Sequence, residues 1–365
     1  MGEPVNVGII GCGNIASQYL ETLTRLPQLS LVAVADLDAE RARALAGTGS
    51  EVRAVSVAEL LAADDVEAVL NLTVPAAHAE VSLAAIAAGK RVYSEKPLAA
   101  TTEQASAILA AANARGIALG CAPDTVLGTG IQTARKAIDD GLIGPPVAAT
   151  ATMVTAGHER WHPNPDFYYL PGGGPLYDMG PYYISALVTL LGPVTTVLGA
   201  ARRSRPTRTI GSGPRAGEAI AVEVDTHVTG VLQHANGVLS TLVMSFDCLA
   251  TTAASIEVHG THGSLVVPDP NAFGGDPLVR TDSDSGWRRL PVSAGYEKAS
   301  RGYGLADLVC TPPGQTLRAS GELGFHVLDV MQSLLLAAHA GSGVVVASRC
   351  VRPRPVELTD LLAGG

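Results

Sequence analysis

Charge is scarce in this 365-residue sequence: Asp, Glu, Lys and Arg make up 16% of it, against 47% hydrophobic residues. That balance excludes a disordered chain and leaves enough apolar material for two hydrophobic cores, which the length also calls for. Basic charge is scarcer still, with 25 Lys and Arg against 34 Asp and Glu and a net charge of -9, which speaks against a nucleic-acid partner. Cysteine is sparse and dispersed. Cys12, Cys121, Cys248, Cys310 and Cys350 are odd in number, far apart and without a C-x-x-C pair, so neither a disulfide framework nor a cysteine-zinc site is expected. No run of 18 apolar residues is free of polar interruption, and the start Met1-Gly2-Glu3-Pro4 lacks the basic segment and apolar core of an export signal. The expectation is a cytoplasmic protein with no membrane partner.

What is present begins with an apolar run over 5–10 that leads into Gly11-Cys12-Gly13-Asn14-Ile15-Ala16. This is the G-x-G-x-x-A form of the dinucleotide fingerprint, in which Gly11 permits a tight turn, Gly13 lets the backbone approach a pyrophosphate and Ala16 lets the next helix pack closely. A helix over 15–26 and a second buried strand over 29–35 follow, ending in Asp36, where a ribose-binding carboxylate belongs. A carboxylate there favours NAD over NADP, because it would repel a 2'-phosphate. Arg41 and Arg43 keep NADP possible, although they read as solvated residues on the next helix.

The alternation continues: helix 39–46, strand 52–55, helix 57–62, strand 68–72, helix 77–88, a strand through Val92 and Tyr93, a helix ending near Arg115 and a strand 118–121. Strands alternating with helices predict a doubly wound parallel sheet. Thr73, Pro75 and His78 fall where a strand gives way to a helix, on the side where a dinucleotide lies, and His78 could equally be a packing or capping residue. Glu95 and Lys96 follow the fifth strand, and a lysine at that carboxyl end points toward the ligand crevice of such sheets.

Beyond Cys121 a helix around 131–138 gives way to β-branched or alternating runs at 147–154, 194–201, 219–232, 238–247 and 255–259. These predict a second α+β domain with a large, mostly antiparallel sheet. Residues 202–217, rich in Arg, Gly, Pro and Ser, read as a surface loop, and 322–340 as an amphipathic helix. The division expected is 1–122 for a Rossmann cofactor domain and 123–365 for a domain that binds substrate and forms oligomers.

Two stretches in the second half carry chemistry. His158-Glu159-Arg160-Trp161-His162 matches the zinc pattern H-E-x-x-H, but Gly157, Pro163 and Pro165 prevent the helix that pattern requires, so no metal is expected. A substrate loop offering His158, Trp161 and His162 is the alternative. Gly172-Gly173-Gly174 then precedes Asp178 and Tyr182, four apart on one helical face. Asp178 could also be a helix cap and Tyr182 a packed aromatic.

Taken together, the Gly11/Gly13/Ala16 fingerprint, Glu95-Lys96-Pro97 and the glycine segment ending Asp178-x-Gly180 resemble the glucose-fructose oxidoreductase / inositol dehydrogenase (Gfo/Idh/MocA) family. The resemblance covers nearly the whole chain. It implies a Rossmann domain followed by an open-faced sheet domain, NAD or NADP, and reversible oxidation of a secondary hydroxyl in a sugar, sugar derivative or cyclitol. It also implies a homodimer or homotetramer. Many members continue Asp-x-Gly-x-His-x-x-Asp with the histidine as proton carrier. This chain departs from that pattern, with Tyr182 at the histidine position and Ser185 at the last aspartate, a tyrosine also found in glucose-fructose oxidoreductase itself.

The resemblance thus implies Lys96, Tyr182 and Asp178 as catalytic residues. Gly11, Gly13, Asn14, Ile15, Asp36, Thr73, Pro75, His78, Glu95 and Lys96 would hold the cofactor. Lys96, His158, Trp161, His162, Asp178 and Tyr182 would hold a carbohydrate-like substrate. Two other activities occur in the family: NAD-dependent glycosidase action through transient oxidation, and dinucleotide sensing without catalysis.

Overall fold

The structure is a computed structural model that describes residues 3–47, 51–312 and 314–363. The first part of the chain alternates as the periodicity predicts. It runs β1 (Val5–Ile10), α1 (Ala16–Leu23), β2 (Leu29–Ala35), α2 (Ala39–Ala46), β3 (Arg53–Val55), α3 (Val57–Ala62), β4 (Ala68–Asn71), α4 (His78–Ala87), β5 (Arg91–Ser94), α5 (Thr102–Arg115), β6 (Leu119–Cys121) and α6 (Thr129–Asp139). The six strands form one parallel sheet in the order β3-β2-β1-β4-β5-β6. The order reverses at β1 and β4, so the loops at their carboxyl ends flank the crevice where doubly wound sheets bind ligands. Helix ends are set locally: Asp38 caps α2, Ser56 and Glu59 form a capping box on α3, and Thr101 caps α5, while Gly116 closes α5 in the left-handed region.

The second part contains β7 (Pro146–Val154), α7 (Gly174–Leu191), β8 (Val194–Arg202), β9 (Thr207–Thr209), β10 (Ala219–Ala221), β11 (His227–His234), β12 (Leu239–Ser245), β13 (Ile256–Gly260), β14 (Gly263–Val267), β15 (Leu278–Thr281) and β16 (Arg288–Arg289). After α8 (Tyr303–Cys310) and α9 (Gly321–Ala340), β17 (Val344–Val345) completes a nine-stranded sheet ordered β16-β15-β14-β13-β7-β12-β11-β8-β17. Only β7 and β12 pair in parallel; every other neighbouring pair is antiparallel. Helix α7 packs on β7, β11 and β12.

Two expectations need correction here. The run expected over 219–232 is broken: β10 leaves the large sheet and pairs with β9 in a separate two-stranded ribbon. The stretch 202–217 is therefore not a plain surface loop, since it contains β9 and the buried Arg208. Helix α9 is long and apolar enough to cross a membrane by composition, yet Leu323, Val327, Leu328, Val330, Met331 and Leu334 are buried inside the fold, as befits a core helix.

The chain divides into two compact units, each discontinuous in sequence. Unit 1 comprises Met1–Gln132, Ser293–Leu328 and Pro353–Gly365; unit 2 comprises Thr133–Val292 and Asp329–Arg352. Position 122 thus marks the end of the parallel sheet, whereas unit 1 goes on to take in two later segments. Backbone bridges Gly120 to Ser320, Gly128 to Tyr296 and Tyr296 to Thr359 stitch those segments onto it.

Candidate active site

In unit 1 the turn after β1 has the geometry the fingerprint requires. Gly11 sits at φ +99°, and a Cβ there would lie 2.6 Å from the Leu72 backbone, so a side chain is excluded on both counts. Gly13 and Asn14 are exposed with open space above Gly13, and Ala16 is fully buried where α1 meets the sheet. Asp36, at the end of β2, accepts the backbone N–H of Cys12 at 2.7 Å through one oxygen and that of Asp38 at 2.8 Å through the other. Each carboxylate oxygen has a second lone pair, so capacity for ribose hydroxyls remains. Burial, and then the Asp36 charge, push the neighbouring Cys12 thiol up to about 11, which keeps it protonated.

A cavity of about 720 Å³ adjoins this turn, lined by Cys12, Gly13, Asn14, Ser17, Arg41, Ala44 and Leu45. Arg41 is therefore a wall of the cavity rather than a detached surface residue, although it is also paired with Asp38 at 3.3 Å. An open glycine turn at a helix N-terminus, a carboxylate at the next strand end and an adjoining cavity fit a dinucleotide. Thr73 and Pro75 lie at the β4 end as expected, Thr73 bonded to Asn71 and Pro75 exposed.

His78 and Glu95 face inward. The His78 ring is 1% exposed, with Nδ1 2.6 Å from the Pro97 carbonyl and Nε2 2.9 Å from that of Thr73. It braces those two loops, as the packing alternative would have it. Burial, the larger influence, lowers its affinity for a second proton against the pull of the two carbonyls. Glu95 accepts the Tyr19 hydroxyl at 2.8 Å and the Lys96 backbone N–H at 2.8 Å, so it too is a brace, fixing the half-buried Lys96 from behind. Tyr19 was invisible to motif reading, because nothing local links α1 to the end of β5.

In unit 2 Asp178 lies in the second turn of α7, whose cap is Gly173, so the capping alternative fails. Gly173 has a packing reason: a Cβ there would meet the Phe167 carbonyl at 2.4 Å. Tyr182 is one turn beyond Asp178 and 5% exposed. The stretch 158–162 is no long helix, only a 3₁₀ turn over His158–Arg160. Its histidines diverge in use: His158 Nε2 lies 3.0 Å from Asp178 Oδ2, while His162 Nδ1 accepts the Asn164 backbone N–H at 3.1 Å.

Aromatic rings surround this pair. Phe246, Tyr168 and Trp161 have ring centroids 4.5, 4.6 and 5.3 Å from that of His158. Trp161 is 59% exposed and Phe167 56%, so both offer ring faces to a ligand. Burial first, then Asp178 and Tyr182, hold the Tyr168 phenol well above its usual range, which places Tyr168 within electrostatic reach of both. Neither Phe167 nor Tyr168 was singled out from sequence, although Asp166-Phe167-Tyr168-Tyr169 carries three aromatics in a row in a chain with only 4%.

A buried ionic triad fixes the loop beneath. Arg208 pairs with Glu159 at 3.0 Å and with Asp247, and the Tyr169 hydroxyl donates to Glu159. The arrangement in unit 2 thus gathers a carboxylate, an imidazole and phenols beside exposed ring faces, a set able to hydrogen-bond hydroxyl groups and stack on an apolar ring face.

Comparison with known proteins agrees with both halves. Residues 5–122 match the family model described as oxidoreductase family, NAD-binding Rossmann fold, and residues 131–266 match that described as GFO/IDH/MocA C-terminal domain. The chain is 31% identical over 352 residues to 1,5-anhydro-D-fructose reductase from Ensifer adhaerens, covering 93% of this chain and 98% of that protein. It is 38% identical over 152 residues to inositol 2-dehydrogenase 3 from Saccharopolyspora erythraea, a match that spans 40% of this chain and 44% of the relative's length. Among solved structures, an NAD binding oxidoreductase from Klebsiella pneumoniae superimposes with a TM-score of 0.81 at 26% identity, covering 94% of this chain and all of that one.

Proposed function

Since the chain belongs to the GFO/IDH/MocA family of NAD-binding oxidoreductases, we propose that it interconverts a secondary hydroxyl and a ketone on a sugar, sugar derivative or cyclitol. NAD, when bound, supplies the hydride acceptor. Lys96 and Tyr182 take up the hydroxyl proton, and Asp178 orients the groups that do so. The observation that carries this reading is the cluster of Asp178, His158, Tyr168 and Tyr182 beside exposed Trp161 and Phe167. Polar groups converging beside ring faces suit a ligand with hydroxyls on its rim and C–H bonds on its faces. Asp36 supports NAD over NADP, and the assembly proposed is a cytoplasmic homodimer or homotetramer.

The test is a panel of inositols, anhydro sugars, hexoses and sugar acids, incubated with NAD and read by absorbance of the reduced nicotinamide. Inositols and 1,5-anhydro-D-fructose lead the panel because the relatives are named for them. Turnover of at least one member is expected. Release of an aglycone from glycosides without net reduction of NAD would replace this reading with glycoside cleavage, and NAD binding without either reaction would leave a sensor.

A further inference from the structure

We propose that His158 is a positioning residue that acts through Asp178, holding its carboxylate ionised and aimed, rather than a residue that contacts substrate. The inference deepens the reading above and rests on it for its kinetic part. An ionised carboxylate can only accept, so the 3.0 Å contact requires His158 Nε2 to carry the hydrogen. In the neutral ring this leaves Nδ1 with a lone pair. That atom is buried and has no hydrogen-bond partner, enclosed among Phe246, Tyr168 and Trp161, so it cannot exchange a proton with a substrate hydroxyl. One nitrogen is committed to Asp178 and the other is sealed, so any effect of His158 passes through the carboxylate.

The surroundings enforce this pose. Glu159, the next residue, is 5% exposed and tied to Arg208, which is itself held by Asp247 and by the Phe246 carbonyl at 3.1 Å. The ring cannot turn away from Asp178 without displacing the three aromatics or the triad. The titratable groups around it are Asp178 and Tyr182 on α7, Tyr168 and His162 on the aromatic loop and the Glu159/Arg208/Asp247 triad. A hydrogen bond to the charged form of a carboxyl favours ionisation, so its loss should move the acid limb of activity to higher pH.

Two variants separate the possibilities. H158F keeps the ring packing and removes the donor, whereas H158Q keeps an N–H where Nε2 stands and cannot take up a proton. We expect H158F to lower kcat about 10- to 100-fold, the usual range for losing one charged hydrogen bond, with NAD affinity unchanged and the acid limb of kcat/KM moved upward. H158Q should restore kcat to within about threefold of the parent. If H158Q is as impaired as H158F and its acid limb has vanished, His158 carries the proton itself and the proposal is overturned; unaltered kcat and pH profile in H158F would reduce it to packing. A second readout does not depend on the substrate having been found. In ¹⁵N-histidine spectra His158 should show the Nε2–H tautomer, and D178L, which leaves no acceptor, should abolish that preference. The Nδ1–H tautomer in the parent protein would refute the pairing even if no sugar in the panel reacts.

Discussion

At the scale of single residues, the proton-handling assignment is the most exposed to test. A free tyrosine has a pKa of about 10, so action as a base near neutrality asks for a shift of roughly three units, or about 4 kcal/mol. Tyr182→Phe should lower turnover by roughly 10² to 10⁴ while NAD affinity stays nearly constant, and Lys96→Met should cost a comparable factor. Near-normal turnover in the phenylalanine variant would leave Tyr182 as packing. Asp36 invites a binding test. Replacing it with alanine removes a charged acceptor worth about 1.5–3 kcal/mol, so NAD affinity should fall roughly 10- to 100-fold while NADP affinity holds or rises. Calorimetry that found the unaltered protein binding NADP more tightly than NAD would reverse the argument and bring Arg41, already in the cavity wall, to the front. The tight turn at Gly11 was legible in sequence because it is set by nearest neighbours. The bracing partners of His78 and Glu95, namely Thr73, Pro97 and Tyr19, were not legible because they are reached only through the fold.

At the scale of elements, local periodicity was a good guide wherever it governs. Strand β2 and helices α2 and α3 have the boundaries expected from sequence, because buried parallel strands read as unbroken apolar runs and caps mark helix starts. It failed over 202–217, where composition says loop but Arg208 is drawn inward by Glu159 and Asp247, partners 49 and 39 positions away. A similar long-range device joins the turn after β6 to the start of α8. There Asp124 is fully buried and accepts the N–H of Gly302 at 2.8 Å and of Gly304 at 3.1 Å. Burial first, and Glu95 to a lesser degree, lift its carboxyl to about 6 against the pull of those two donors and of Arg301. A carboxyl that holds its proton more tightly in the folded chain favours the fold at low pH. Its contribution is fully present below about pH 4 and is lost as the pH rises through about 6. Asp124→Asn keeps an acceptor for both N–H groups and carries no charge. Relative to the parent it should gain up to about 3 kcal/mol between pH 4 and pH 7.5, read from melting curves at the two pH values. A stability difference that stays the same at both would show that Asp124 does not titrate in this window.

At the scale of the whole molecule, the nine-stranded sheet has one face under α7 and another that carries almost no charge at its centre. Ala148, Thr150 and Thr152 of β7 stand beside Leu239, Thr241 and Val243 of β12, which stand beside Gln233, Val231 and Thr229 of β11. A continuous face of uncharged side chains, most of them small or β-branched, is what a second copy of the chain would cover. Light scattering at micromolar concentration should give two or four times 37.3 kDa, and Val231→Glu should reduce it toward one chain. A single-chain mass for the unaltered protein would refute the assembly.

The discontinuity of unit 1 also has a meaning in time. The segment from Pro353 supplies backbone and side-chain partners to both earlier segments of unit 1: Leu361 accepts from Gln28, Val356 donates to Gln132, and Asp360 pairs with Lys298. On a ribosome the dinucleotide-binding sheet emerges ahead of residues 133–292 and waits while they are translated, a delay on the order of 10 s at ordinary speeds. Unit 2 has all its residues once Arg352 is out, before unit 1 has its segment from Pro353. Nascent chains arrested before residue 353 should therefore present a protease-resistant second unit and a first unit that is cleaved readily and fails to retain NAD, with resistance and binding gained together when the last residues are released.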